Sequence, residues 1–171
     1  MVKLNLSSQI VLNKVPEEFY HPKTAVELSE LTRCEKLPTT IFPKTEEGAL
    51  SIATTIANAI RQKQQSGQYC VLGLGTGSSL TPVFNELIRL HKEEKLSFSN
   101  VVVFNAYEYF PLQPSAKNST LNQLKERLLN HIDINPQNVF TLEGTVPQDR
   151  VQESCRLYEQ RIQSFGGIDI M

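Results

Sequence analysis

The chain has 171 residues, of which 40% are hydrophobic, and its 17 basic and 18 acidic side chains give a formal net charge of −1 at pH 7. This length supports one sizeable hydrophobic core and is short for two. The balance of charge is unlike that of nucleic-acid and membrane-surface proteins, so we expect a small-molecule partner instead. No apolar leader and no run of about 18 apolar residues occurs, which predicts a cytoplasmic protein that does not enter a membrane.

The first part of the chain has no regular hydrophobic pattern. Residues 1–44 contain four prolines and one stretch, 24–34, that predicts a short helix. We interpret 1–44 as an N-terminal extension and 45–171 as the main domain. From Thr45 onward, apolar residues recur at helical spacing behind an acidic first turn, which predicts a long helix ending near Ser66 and Gly67.

Four short apolar runs follow, and helical stretches separate them. Such runs are typical of strands buried on both faces of a parallel sheet. The alternation predicts a three-layer α/β fold with a mostly parallel, Rossmann-like sheet flanked by helices, in which ligands bind at the carboxyl ends of the strands. Because the chain stops on the fourth run, we expect it to be the N-terminal part of a longer parent protein. The predicted strands are 69–74, 101–105, 138–142 and 168–171, and the intervening helices are marked by 80–88, 121–128 and 151–162.

A glycine-rich segment, Gly73 to Ser79, joins the first predicted strand to the next helix. Its glycines, its hydroxyls and the free N–H groups of a helix start are typical of a phosphate-binding loop. A P-loop is disfavoured because no lysine occurs between Tyr69 and His91. A dinucleotide-binding turn would have glycine where Ser78 stands. That alternative stays open, as does a turn that only packs the strand against the helix.

Several motifs, in one order along the chain, resemble the glucosamine-6-phosphate deaminase/isomerase family over residues 41–171. They are LGLGTGSS, a strand followed by FNAYEY, and HIDI at 131–134. The wider superfamily includes 6-phosphogluconolactonase and ribose-5-phosphate isomerase. The resemblance implies that Ser119 lies on the substrate side and that the loop binds the phosphate of a sugar substrate. The loop residues concerned are Gly75, where the family commonly has proline, and Thr76, Gly77, Ser78 and Ser79.

The resemblance also places a catalytic position in the FNAYEY segment. The family carries an aspartate before the glutamate, as the base that moves a proton between C1 and C2 of the sugar, and this chain has Tyr107 there. Tyrosine, with an ordinary pKa of about 10, is a poor base near neutral pH. Glu108 is the neighbouring carboxylate, and it is either a second catalytic candidate or a structural group. Catalytic roles are therefore expected at Tyr107 and Glu108, with ordinary deaminase chemistry in question.

By this resemblance the parent protein is an isomerising deaminase that converts an amino-sugar phosphate to a ketose phosphate and ammonia. A lactonase-like hydrolase and a catalytically silent sugar-phosphate sensor are the alternatives. The family's ring-opening histidine and further basic phosphate ligands correspond to sequence after Met171, so we expect the isolated chain to be inactive. Neither a metal nor an organic cofactor is expected, because proton transfer through an enediol needs only positioned acids and bases. Homo-oligomerisation stays open, since members of the family are commonly oligomers.

Overall fold

The computed structural model describes residues 22–34, 37 and 39–171, so much of the predicted extension lies outside the described residues. The chain divides into two compact units, Met1–Gly48 and Ala49–Met171. In the first unit, helix α1 spans Ala25–Thr32 and begins at a capping box. The Thr24 hydroxyl accepts the N–H of Glu27, and the Glu27 carboxylate accepts the N–H of Thr24.

Helices and strands alternate through the rest of the chain, as the sequence predicts. Across the described ranges, no helix is long and apolar enough to cross a membrane. The predicted three-layer α/β fold is confirmed. Its elements are α2 Thr45–Gln65, β1 Cys70–Leu74, α3 Thr81–Glu94, β2 Val101–Asn105, α4 Thr120–Arg127, β3 Val139–Phe140 and α5 Val151–Ser164.

The three strands form a parallel sheet in the order β1-β2-β3. Strands β1 and β2 are fully buried, whereas both residues of β3 are only half-buried, which corrects the prediction of strands buried on both faces. The predicted strand 138–142 is short because the Leu142 N–H donates to the side chain of Asn105 at 2.9 Å. A side chain therefore replaces the next backbone partner of the ladder.

The fourth predicted strand, 168–171, is reduced to one parallel bridge between Leu72 and Ile170. Here the Asp169 carboxylate takes the N–H of Val71 at 2.9 Å and pairs with the Lys63 ammonium at 2.7 Å. A side-chain oxygen, here of a carboxylate, again occupies a position that a backbone carbonyl would fill in a longer strand. The segment is thus attached to β1 through a side chain and a short stretch of backbone pairing.

Side chains alternate between the two faces along each strand, so both faces of the sheet carry apolar residues. Helices cover both faces. Leu72 and Val103 face a large core that α2 and α3 complete. Val71 and Phe104 face a smaller cluster on the other side, which side chains of α5 and the segment after it cover. Burial of each large apolar side chain contributes about 1.5–3 kcal/mol, so this double coverage holds the strand ends in fixed positions.

Candidate functional site

The candidate site lies at the carboxyl edge of the sheet, where β1 and β2 end side by side. Leu74 and Asn105 are partners in the parallel register. The pairing continues one residue further, because the Ala106 N–H donates to the Leu74 carbonyl at 2.8 Å. The loop after β1 and the loop after β2 therefore leave the sheet as neighbours.

The glycine-rich loop turns into α3 through one turn of 3-10 helix at Ser78–Leu80, rather than entering the α-helix directly. Residues 77–79 are exposed to solvent. The N–H of Leu80 donates to the Gly77 carbonyl, and the N–H of Thr81 donates to the Ser78 carbonyl. Within the described residues, the N–H groups of Gly77, Ser78 and Ser79 have no protein acceptor. They are consequently available to an anion at the positive end of α3.

Gly77 does not need the conformational freedom of glycine. Its φ and ψ are −55° and 148°, which an ordinary residue can adopt. A Cβ built at Gly77 would meet only the Ser79 Oγ, at 3.6 Å. The absence of a side chain at Gly77 therefore leaves open space at the exposed surface of the loop.

Thr76 fixes the base of the loop through two contacts. The residue is only 6% exposed. Its carbonyl accepts a hydrogen bond from Nη1 of Arg127 at 2.8 Å, and its hydroxyl lies 3.2 Å from the Tyr107 hydroxyl. Tyr107 itself is 40% exposed, so its ring lies at the surface beside the loop. The structure thus brings the predicted catalytic position next to the predicted phosphate loop.

The Glu108 carboxylate is occupied by hydrogen bonds from the start of α4. It accepts the Ser119 hydroxyl at 2.9 Å, the Thr120 N–H at 3.0 Å and the Leu121 N–H at 3.3 Å. The Thr120 hydroxyl lies 2.9 Å from the Glu108 carboxylate and 2.7 Å from the Tyr107 carbonyl, and its one proton is shared between these two acceptors. The N–H of Tyr109 adds a further donor at 2.9 Å. Burial alone would raise the pKa of Glu108, but these hydrogen bonds lower it below the ordinary value. In this structure Glu108 thus holds the start of α4, and its lowered pKa makes it a weaker base than an ordinary carboxylate.

Ser119, which the resemblance places on the substrate side, is fully buried. Its hydroxyl donates to Glu108, and its oxygen also accepts the Asn122 N–H at 3.5 Å as the N-cap of α4. Because this buried hydroxyl both donates and accepts a hydrogen bond within the protein, it is not open to a ligand in this structure. As the N-cap, Ser119 fixes where α4 begins.

Asn105 holds the loops after β2 and β3 together from its buried position at the end of β2. Its amide Nδ2 donates to the Tyr107 carbonyl at 2.9 Å, and its Oδ1 accepts the Leu142 N–H and the Tyr158 hydroxyl, each at 2.9 Å. Burial raises the pKa of the Tyr158 phenol well above its usual range, so this donor keeps its proton. Tyr107 is thus held at its backbone carbonyl by Asn105 and at its side-chain hydroxyl by Thr76.

Sequence reasoning missed Arg127 and Tyr158 as contributors to this site. Each lies within a predicted helical stretch, and its partner is distant in sequence: Arg127 is 51 residues from Thr76, and Tyr158 is 53 residues from Asn105. A buried asparagine at a predicted strand end was the available signal for Tyr158, since it requires hydrogen-bond partners. No local signal marks Arg127.

Comparison with known proteins establishes the family. Residues 43–171 match the family described as glucosamine-6-phosphate isomerases/6-phosphogluconolactonase. The chain belongs to this family. It is 58% identical, over 169 residues, to a glucosamine-6-phosphate deaminase-like protein of Bacteroides thetaiotaomicron, and the match covers 99% of this chain and 26% of that protein. It is 40% identical to glucosamine-6-phosphate deaminase 2 of Giardia intestinalis, over 74% of this chain and 46% of that protein.

Solved structures show the same relationship. A monomeric glucosamine-6-phosphate deaminase matches with a TM-score of 0.69 and 35% identity, over 75% of this chain and 51% of that one. The 6-phosphogluconolactonase of Trypanosoma brucei matches with a TM-score of 0.59 and 19% identity, over 75% and 51%, which shows the shared fold alone. The chain spans about half the length of these two proteins, or about a quarter of the Bacteroides relative.

The hydrogen bonds to Glu108 predict that its loss destabilises the fold in a pH-dependent way. Glu108→Gln should lower the free energy of unfolding by about 2 kcal/mol at pH 7, because a neutral amide turns an NH₂ group toward N–H and O–H donors. The folded pKa lies below the ordinary 4.5, so the stabilisation is present above that pH and is lost as the pH falls through the folded value. The difference between the two proteins should therefore shrink below about pH 4.5.

Urea unfolding from pH 3 to 8, followed by circular dichroism, measures this difference. Glu159→Gln is the matched control, because Glu159 is an exposed residue of α5, and it should change stability by less than about 0.5 kcal/mol. A Glu108→Gln difference that is zero at pH 7, or that grows in acid, would contradict the structural role of Glu108.

Proposed function

We propose that this chain binds the phosphate of an amino-sugar phosphate and forms the N-terminal half of a deaminase-like site. The observation that carries the proposal is the exposed run of N–H groups at Gly77, Ser78 and Ser79, which have no acceptor among the described residues. Backbone N–H groups at the start of a helix are suited to a phosphate dianion. The Ser78 and Ser79 hydroxyls add donors on the same exposed turn.

The neighbouring loop gives the bound sugar its environment. Since β1 and β2 end in register, a sugar attached to a phosphate at Gly77 extends toward the loop after β2. Tyr107 is the exposed polar side chain that touches Thr76 there. We assign to Tyr107 a hydrogen-bonding role toward the sugar, because a phenol both donates and accepts.

The relatives support glucosamine 6-phosphate as the first substrate to test. The Giardia protein and the monomeric protein of known structure are named as glucosamine-6-phosphate deaminases. For the whole protein we therefore propose isomerisation of an amino-sugar phosphate with release of ammonia. The groups that move protons would then include residues outside this chain, since Glu108 is occupied by its hydrogen bonds.

A sugar-phosphate sensor without turnover is the second candidate. Two adjacent residues favour it. Tyr107 has a phenol where the family has a carboxylate, and the Glu108 carboxylate is engaged by hydrogen bonds from the start of α4. Such a site keeps the N–H groups that bind phosphate but has no catalytic base at position 107. Binding with and without chemistry can be separated by experiment.

Phosphate binding through the loop predicts a difference between two substitutions at Gly77. Gly77→Pro removes one N–H donor, and the observed φ of −55° is compatible with proline. Gly77→Ala is the matched control, because it keeps the N–H and its Cβ makes only an ordinary contact with the Ser79 Oγ. Loss of one charge-assisted hydrogen bond should weaken glucosamine 6-phosphate binding about 10-fold in Gly77→Pro.

Calorimetric titration of both variants and the original chain measures this effect. Glucosamine without phosphate should bind much more weakly to all three proteins. Equal affinity in the proline variant and the original chain would remove the Gly77 N–H from the site. No heat or saturable binding with glucosamine 6-phosphate in the original chain would refute the proposed function.

Turnover is tested at Tyr107 in the whole protein. Tyr107→Asp restores the family's carboxylate and should raise ammonia release from glucosamine 6-phosphate, whereas Tyr107→Phe removes the hydroxyl without supplying a base. Ammonia release is measured by a coupled enzymatic assay. If the aspartate and phenylalanine variants release ammonia at the same rate, position 107 does not face the reacting carbons.

A further inference from the structure

The guanidinium of Arg127 is bonded to a backbone carbonyl of the glycine-rich loop. Arg127 is the last residue of α4, it is half-buried, and its Nη1 donates to the Thr76 carbonyl at 2.8 Å. In the part of the chain that the structure describes, no carboxylate lies within 4.0 Å of its guanidinium. Arg89, by contrast, pairs with Glu86 at 2.7 Å and with two further glutamates. The Arg127 cation is thus engaged with a backbone carbonyl of the glycine-rich loop.

This contact fixes the direction of the next N–H group. The Thr76–Gly77 peptide bond is trans, because Phe110–Pro111 is the sole cis bond within the described residues. In a trans peptide the carbonyl and the following N–H point in opposite directions. With the Thr76 carbonyl directed at Arg127, the Gly77 N–H must point away from Arg127. A charged donor on the carbonyl also polarises the peptide, which strengthens that N–H as a donor.

The helix that carries Arg127 is held at both ends. Its first turn is attached to Glu108 through Ser119 and Thr120. Leu124 and Leu128, on either side of Arg127 in the sequence, are 0% and 1% exposed. A helix fixed in this way can hold the guanidinium against one particular carbonyl.

We propose that Arg127 is a positioning residue that orients the Thr76–Gly77 peptide and thereby presents the Gly77 N–H to the phosphate. Arg127 acts through the peptide and does not itself contact the ligand. The inference rests on the proposed function, because it assigns a purpose to the orientation of a phosphate donor. Its test must therefore distinguish loss of phosphate binding by the loop from misorientation of the Gly77 N–H.

The test compares Arg127→Met and Arg127→Lys in two backgrounds, the original chain and Gly77→Pro. The probes are inorganic phosphate and glucosamine 6-phosphate, titrated by ¹H–¹⁵N NMR. In the original background, Arg127→Met should weaken binding about 10-fold, as expected for loss of a hydrogen bond to a charged group. Arg127→Lys should bind with an affinity between those of Arg127→Met and the original chain, because it keeps the charge but loses the planar guanidinium.

In the Gly77→Pro background no N–H is left to orient, so either Arg127 substitution should have little additional effect on affinity. The Gly77 amide resonance should also lose its ligand-induced shift in Arg127→Met, while those of Ser78 and Ser79 still respond. Arg156→Met is the matched control, because Arg156 is an exposed arginine of α5, and it should leave affinity unchanged.

The outcomes separate the two claims. Equal weakening by Arg127→Met in both backgrounds, or an unchanged affinity in the original background, overturns the positioning role and leaves the proposed function in place. Absence of phosphate binding by the original chain refutes the proposed function and the positioning role with it. If Arg127→Met does not fold by circular dichroism, the same comparison is made with Arg127→Lys, whose weakening should disappear in the Gly77→Pro background.

Discussion

The arrangement of the site depends on the attachment of Glu108 to the start of α4. This carboxylate joins the loop after β2 to the first turn of the helix through Ser119 and Thr120. Two consequences follow from one interaction. Tyr107 is held beside Thr76 on one side, and Arg127, at the far end of the same helix, reaches the Thr76 carbonyl on the other. The conformation of the glycine-rich loop is therefore set by residues distant from it in sequence.

The same interaction separates binding from chemistry. A carboxylate that accepts several hydrogen bonds at lowered pKa stabilises the fold and is poorly suited to abstract a proton. The exposed N–H groups of the loop, by contrast, have no acceptor within the described part of the chain. The structure thus favours ligand recognition at this edge of the sheet. The family comparison adds an expected ligand class, and the tyrosine at position 107 makes turnover a separate question.

Much of the fold could be predicted from sequence because hydrophobic periodicity reports local structure directly. The pattern from Thr45 predicts α2 almost to its last residue, and the two fully buried strands stand out as apolar runs. Prediction was less accurate where side chains replace backbone partners, at Asn105 and Asp169, because composition does not reveal such substitutions. The loop was visible as a motif. The role of Arg127 was not, since a helical arginine looks the same whether it faces solvent or a carbonyl.

A crystal structure of the chain with glucosamine 6-phosphate bound tests phosphate binding by the loop most directly. Phosphate oxygens should lie within hydrogen-bond distance, about 2.7–3.2 Å, of the N–H groups of Gly77, Ser78 and Ser79. The sugar ring should lie toward Tyr107, and Arg127 should remain on the Thr76 carbonyl. A phosphate bound elsewhere on the chain, with these three N–H groups still facing solvent, would contradict phosphate binding by the glycine-rich loop.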